Sequence, residues 1–438
     1  MPMNDARSAA KSELNRLTAL DAAERLKTGA ATSEALVEDC LARIAERDSA
    51  IGAWTTVDRQ QAIVQARARD REPRRSPLHG IPVGVKDIFD THDMPTGYGS
   101  AIHDGHQPAN DSVIVALARR AGMVILGKCA TTEFASPVPA GVRNPHDLRR
   151  TPGVSSSGSA AAVADHMVPL AFGSQTGGST ILPAAYCGVV GYKASLTGLD
   201  RGNIRHLRPT LDTVGLFARS VSDIAALRGV LVGTDEALPV IDVRGLRIGV
   251  CRTGHWSEAQ PETVTTLENA ATALARAGST VRDVGLPSIF DDIAETFGVI
   301  SSVEGARALV AEARDHRPKL NHWIQNSLTA AEGHDAPRFD EAQQHAVDCQ
   351  RALAAMFEQC DVLLTPSTIG EAPADLVSVS SSVFNRTWTL MHVPCVHLPT
   401  SHGPNGMPVG IQIVGPVGGD VRTLTIAQAI GAALGGAR

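Results

Sequence analysis

Three short segments of this chain carry groups that could together open an amide bond. Thr176-Gly177-Gly178-Ser179 sets a serine after two glycines, where missing side chains let successive backbone N–H groups converge and a carbonyl approach closely. That is what a developing oxyanion requires, although a Gly-Gly-Ser run alone also fits an ordinary loop. Upstream by 24 residues, Ser155 lies in the run Pro152-Gly153-Val154-Ser155-Ser156-Ser157-Gly158-Ser159-Ala160-Ala161-Ala162-Val163-Ala164. Lys86 follows the apolar Ile81-Pro82-Val83-Gly84-Val85. A lysine is a base only when its amine is neutral, which requires desolvation or nearby positive charge to bring its pKa down from about 10.4. A lone lysine at a strand end reads more readily as a surface residue; the combination with two serine segments is what points to chemistry. A hydroxyl between lysine and nucleophile can pass a proton one way for attack and the other way for amine departure.

The elements that must hold these groups follow from periodicity and punctuation. Leu17 to Arg47 reads as two amphipathic helices, broken at Gly29, with Ser33 as the cap of the second. Ile81 to Val85 reads as a buried strand, Asp111 as the cap of a helix through Arg120 that ends at Gly122, and Met123 to Leu126 as a further strand. Leu246 to Cys251, Val264 to Ala277 and Thr280 to Val284 repeat the strand, helix, strand scheme, and Val362 to Leu364 and Val409 to Val414 supply later strands. The alternation predicts an α/β sheet. Between Thr151 and Thr197 the chain is rich in Gly, Ser and Ala, yet its interleaved Ala160–Ala164 and Val189-Val190 are too apolar for a flexible linker. No internal repeat or clean linker appears, which favours one domain over 1–438: an N-terminal helical part (1–76), a core holding the chemical motifs (77–232) and a helical, variable insertion (287–346).

Bulk properties exclude several function classes. The net charge of -6 offers no footprint for nucleic acid or an anionic membrane. No apolar run approaches the roughly 18 residues that a membrane span needs, and the polar start shows no export signal. The seven cysteines are scattered without a CxxC pair, the pattern of reduced structural thiols in a cytoplasmic protein. Fifteen histidines include no HExxH, so a metal site has no support.

Taken together, Gly84-Val85-Lys86-Asp87, the 152–164 run and Ser179 resemble the amidase signature family. The likeness continues through Gly127-Lys128, Glu133-Phe134-Ala135, Cys187 to Lys193, Leu211-Asp212-Thr213-Val214-Gly215, Ala218 to Val221, Thr365-Pro366 and Pro408 to Gln412. It spans nearly the whole chain apart from the insertion. The resemblance implies an α/β fold with a mixed sheet of roughly a dozen strands wrapped by helices. It also implies a Ser-cisSer-Lys triad with no metal and no organic cofactor. Carried over motif by motif, the nucleophile falls on Ser179, the serine after the cis bond on Ser155 and the lysine on Lys86, with backbone N–H groups of Thr176, Gly177, Gly178 and Ser179 as oxyanion donors.

Departures from the family pattern refine the expectation. Val154 stands where a glycine usually precedes the relay serine. Gln175 and Ile181 replace an Asp and an Arg found together in many members; their joint absence is coherent, since losing one alone would strand a buried charge. A Gln-bearing, malonamidase-like subgroup often has an Arg three residues after the nucleophile to grip a substrate carboxylate; here that residue is Leu182. A leucine cannot bind an anion, so the expected substrate is a small, neutral, rather apolar amide or carbamate, such as an anilide or urethane. Leu182, Gln175, Ser156, Phe384 and Trp388 are the candidate substrate contacts. The expected protein is a cytoplasmic amidohydrolase acting through a seryl acyl-enzyme, with no nucleic-acid or membrane partner and with a homodimer as a compatible assembly. Rival readings are a binding pseudoenzyme, an esterase and a transamidosome-like amidotransferase subunit.

Overall fold

The computed structural model describes residues 13–234, 237–377 and 381–435. Its strands, in chain order, are β1 (Trp54–Thr56), β2 (Pro82–Lys86), β3 (Val124–Cys129), β4 (Leu170–Gln175), β5 (Val190–Lys193), β6 (Thr213–Ala218), β7 (Arg247–Val250), β8 (Thr280–Asp283), β9 (Val362–Pro366), β10 (Cys395–His402) and β11 (Pro408–Val414). All eleven join one mixed sheet in the order β1-β3-β2-β4-β6-β5-β10-β11-β9-β7-β8. Parallel groups β3-β2-β4 and β9-β7-β8 flank an antiparallel middle, and β1 adds to β3 as an antiparallel edge strand.

Strands β2 to β6, β9 and β11 are buried at every residue. A strand covered on both faces shows no hydrophobic alternation. For that reason the sequence pattern does not separate β4, β5 and β6, which lie among Gly, Ser and Ala, and it does not place β10. The edge strand β8 is mostly exposed and carries Arg282 and Asp283, which discourages pairing with another chain.

Fourteen α-helices among the described residues wrap this sheet: α1 (Ala19–Lys27), α2 (Ser33–Ile51), α3 (Arg59–Arg71), α4 (Val113–Arg120), α5 (Ser157–Ala164), α6 (Ile181–Cys187), α7 (Val221–Val232), α8 (Pro261–Arg276), α9 (Ile293–Ala308), α10 (Val310–His316), α11 (His322–Glu332), α12 (Ala336–Phe357), α13 (Val383–Leu390) and α14 (Asp420–Ala433). Two predicted caps shift by one residue. Thr32 caps α2, its hydroxyl accepting from Ala35 N–H, while Ser33 instead donates to Gly80 O at 2.6 Å. Ser112 stands at the start of α4, because the Asp111 carboxylate is occupied by His92 and Arg119.

Helices α9 and α12 share an apolar cluster in which Val299, Ile300 and Val303 meet Phe339, Cys349 and Leu353, continuous with Leu363, Cys395 and Val414 of the sheet. This anchors the helical segment over one end of the sheet. The seven cysteines are buried and unpaired. Among the described residues no helix is long and apolar enough to cross a membrane.

Candidate active site

Lys86 is the last residue of β2, the strand between β3 and β4. Its side chain is fully buried, and Nζ lies 2.7 Å from Ser155 Oγ, 3.0 Å from Ser156 Oγ and 2.8 Å from Ser174 Oγ. Ser174 comes from β4, and the other two serines from the turn that enters α5. Small residues let that turn reach the lysine: at Gly158 of α5 an added Cβ would stand 2.5 Å from Ala53 O and 2.6 Å from Ala130 N. Lys86 has no carboxylate within ion-pair distance among the described residues, so burial pushes its amine from 10.5 down to about 7, against the opposing charge of Asp212. A base near neutral pKa is thereby held against three hydroxyls.

The cis bond expected at Ser155 is absent: among the described residues every peptide bond is trans. Gly153, two residues before Ser155, takes a φ of 110° beside Pro183. Val154 then packs with Leu182, Tyr186, Ala372 and Met407.

Ser179 follows β4 and opens toward α6, with 8% of its surface exposed. Its Oγ forms no hydrogen bond among the described residues and lines a cavity of about 300 Å³. Gln175 explains the local geometry. Its Oε1 accepts the N–H groups of Thr180 and Ile181 at 3.0 Å each, and its Nε2 donates to Thr389 Oγ1. With those two N–H groups taken, the N–H groups of Gly177, Gly178 and Ser179 have no protein acceptor among the described residues and lie along the cavity. Thr176 is tied by its hydroxyl to Asp212, which also accepts the N–H groups of Leu207 and Arg208. Gly178 must be glycine here, because a Cβ would stand 2.8 Å from Asn385 Oδ1 and 2.9 Å from Ser382 Cβ.

The cavity is closed by helices remote in sequence. Phe297, Ser301 and Ser302 of α9, Trp323 and Ser327 of α11, and Arg386 of α13 form its walls, with Val154, Pro137 and Arg208 between them. Several expected substrate contacts are elsewhere. Leu182 is fully buried in the Val154 cluster and does not line the cavity. Phe384 and Trp388 are buried in the interior, because α13 turns that face toward the sheet. Gln175 is committed to backbone N–H groups. Ser156 accepts from Lys86 and Ser174 N and donates to Ser174 O, leaving it a support for the lysine rather than a substrate contact. The inference of a neutral substrate from Leu182 therefore falls: its side chain does not reach the site.

Comparison with known proteins agrees with this architecture. The Amidase family profile matches residues 35–424. This chain belongs to the Amidase family. A glutamyl-tRNA(Gln) amidotransferase subunit of Anaeromyxobacter sp. (strain K) is 33% identical over 459 aligned positions, covering 92% of this chain and 93% of the relative. Among solved structures, the native peptide amidase from Stenotrophomonas maltophilia superposes with a TM-score of 0.82 at 29% identity, covering 97% of this chain and 98% of that one. A crystal structure of an amidase superposes with a TM-score of 0.87 at 26% identity, covering 95% and 99%.

Within this Amidase-family chain the sequence reading gives no role to Ser174, Asp212, Arg208 or Arg386. Ser174 is within reach of inference, since it lies one residue before Gln175 in a strand beside β2. The arginines carry no such signal: 178 residues separate them, and only the packing of α9, α11 and α13 brings both to one cavity.

Proposed function

We propose that this protein hydrolyses the C–N bond of amides or carbamates through an acyl-enzyme, or carbamoyl-enzyme, on Ser179, with Lys86 as base and Ser155 as relay. The observations that carry this reading are a buried lysine with its pKa lowered to about 7 and bonded to hydroxyls alone, and a cavity lined by Ser179 and the residues of the unpaired backbone N–H groups. Neutral Lys86 accepts the Ser155 proton as Ser155 accepts that of Ser179, and Ser179 Oγ forms its bond to the substrate carbonyl carbon. The N–H groups of Gly177 to Ser179 stabilise the oxyanion. As the C–N bond breaks, the proton returns from Lys86 through Ser155 to the leaving amine. Water then attacks the acyl-enzyme by the same route, restoring Ser179.

The second reading, one component of an amidotransferase, is favoured by the amidotransferase relatives. Such a protein would pass ammonia onward with partner chains and show little turnover alone; the net charge of -6 gives the chain no overall basic character for tRNA. An esterase would use the same groups, and relative ester and amide rates separate the two. The decisive experiment is anilide hydrolysis by the isolated chain together with intact-mass detection of a Ser179 adduct from an active-site-directed phosphonate. Turnover and labelling that both vanish in Ser179→Ala support the amidohydrolase. Labelling without turnover supports the amidotransferase component, and turnover surviving in Ser179→Ala sinks the mechanism.

A further inference from the structure

We propose that the cavity beside Ser179 holds a carboxylate subsite centred on the guanidinium of Arg386, so that the hydrolysed compound carries a negative charge near its scissile bond. This rests on the amidohydrolase reading for its chemistry, but not for its binding. The cavity lining includes two guanidinium groups, Arg386 and Arg208, and no acidic side chain. Arg208 is buried and Arg386 is exposed on the cavity lining, and two positive groups without an acidic neighbour on that lining give the pocket a field that favours an anion over an uncharged amide.

The acids nearby are already committed. Asp212 accepts from Thr176, Leu207 N and Arg208 N. Glu304 accepts from Thr210 N at 3.1 Å and from its hydroxyl at 2.7 Å. Both act on the Arg208 guanidinium only through their charge. Arg208 donates from Nε to Ser301 Oγ at 2.8 Å and lies over the Trp323 ring at 5.5 Å. Arg386 is less compensated. Nε donates to Ser382 Oγ at 3.0 Å, its guanidinium stands 5.9 Å from the Phe297 ring centroid, and no carboxylate is within ion-pair distance among the described residues. The charge that acts on it is that of Glu258, itself bonded to His255 at 2.9 Å. Neither Nη of Arg386 has an acceptor among the described residues. An aromatic face behind a guanidinium leaves its donor fork for a planar, two-oxygen ligand.

Placement ties this group to the reaction. Arg386 Cγ lies 4.0 Å from where a Cβ on Gly177 would stand, so the arginine borders the oxyanion loop. A carboxylate gripped there would orient the rest of the molecule across Ser179.

Three anilides test this: butyranilide, which is neutral, succinanilate, with a carboxylate on the acyl side, and 4-butyramidobenzoate, with one on the leaving side. The wild type should prefer at least one anion over butyranilide by roughly 10-fold or more in kcat/KM, the scale of a charge-assisted pair, and Arg386→Gln should collapse that ratio. Arg386→Lys, which keeps the charge but not the fork, should retain part of it. Calorimetric titration of the same compounds into Ser179→Ala reads the preference without turnover and should give the same order. Equal or better rates and affinities for butyranilide in the wild type overturn the subsite whatever the variants do. A merely structural Arg386 would lower all three compounds together, leaving the ratio unchanged, and would also overturn it. Activity persisting in Ser179→Ala would count against the mechanism alone.

Discussion

Two buried lysines on neighbouring strands have different partners. Lys86 closes β2 and Lys128 lies on β3, paired in register with Val85, so the two are one step apart and point to opposite faces of the sheet. Neither has any exposed surface. Lys128 meets Asp87 Oδ1 at 3.2 Å and donates to Phe89 O and Thr96 Oγ1 at 2.7 and 2.6 Å. Burial lowers its pKa, but the Asp87 carboxylate opposes that push. Lys86 has hydroxyls in place of a carboxylate. Burial lowers both amines, and what separates them is the counter-ion that only Lys128 has.

Replacing each lysine by methionine breaks the comparison most sharply. Lys86→Met should lower kcat by about 10²–10⁴-fold with no loss in melting temperature, because no charge is orphaned. Lys128→Met should instead cost about 3–5 kcal/mol of stability by leaving Asp87 buried and unpaired, and Asp87→Asn added to it should recover part of that. Activity assays and denaturant unfolding read both. Loss of stability on the Lys86 side with loss of activity on the Lys128 side would reverse the assignment.

The pH dependence is the next largest effect. In the proposed mechanism the neutral form of Lys86 is the active one, so kcat/KM should fall about tenfold per pH unit below about 7 and level off above it. Stability carries the same signature. The folded pKa of Lys86 is about 7 against 10.5 for the free group, so the unfolded chain binds the extra proton between those values, and the Lys86 contribution to stability rises with pH across that window. The stability advantage of Lys86→Met over wild type should accordingly be largest below pH 7 and shrink toward 10.5. A flat difference across that range would show that Lys86 titrates normally.

The smallest effect concerns the hydroxyl cage. Ser174→Ala removes one of three hydrogen bonds at Lys86 Nζ, a change of about 1 kcal/mol, and should alter kcat/KM by several-fold while displacing the acid limb of its pH profile. An unchanged profile would mean that Ser174 only packs.

The chemical floor of this molecule is legible because its parts are local. A strand ending in lysine, a Ser-rich turn before a run of alanines, and Gly-Gly-Ser after a buried strand each carry their constraint within a few residues. Lys86, Ser155 and Ser179 stand out from such segments, and the structure sets Lys86 against Ser155 and puts Ser179 on the cavity. Gln175 and Ser156 stand out too, but with the wrong task. Both saturate their hydrogen bonds inside the protein, which a list of residue types does not reveal. Leu182, Phe384 and Trp388 look like pocket residues in sequence and are core residues in space, because which face of a helix meets the sheet depends on its neighbours.

By itself, then, the sequence determined the α/β sheet, the Amidase family likeness and the residues able to move a proton, since strand burial, turn chemistry and close backbone approach act over a few positions. Tertiary structure alone decided the lining of the cavity, the lowered pKa of Lys86 and the presence of Arg208 and Arg386 on one cavity. Burial, counter-ion distance and the packing of α9, α11 and α13 are properties of three-dimensional neighbours, and no spacing along the chain encodes them.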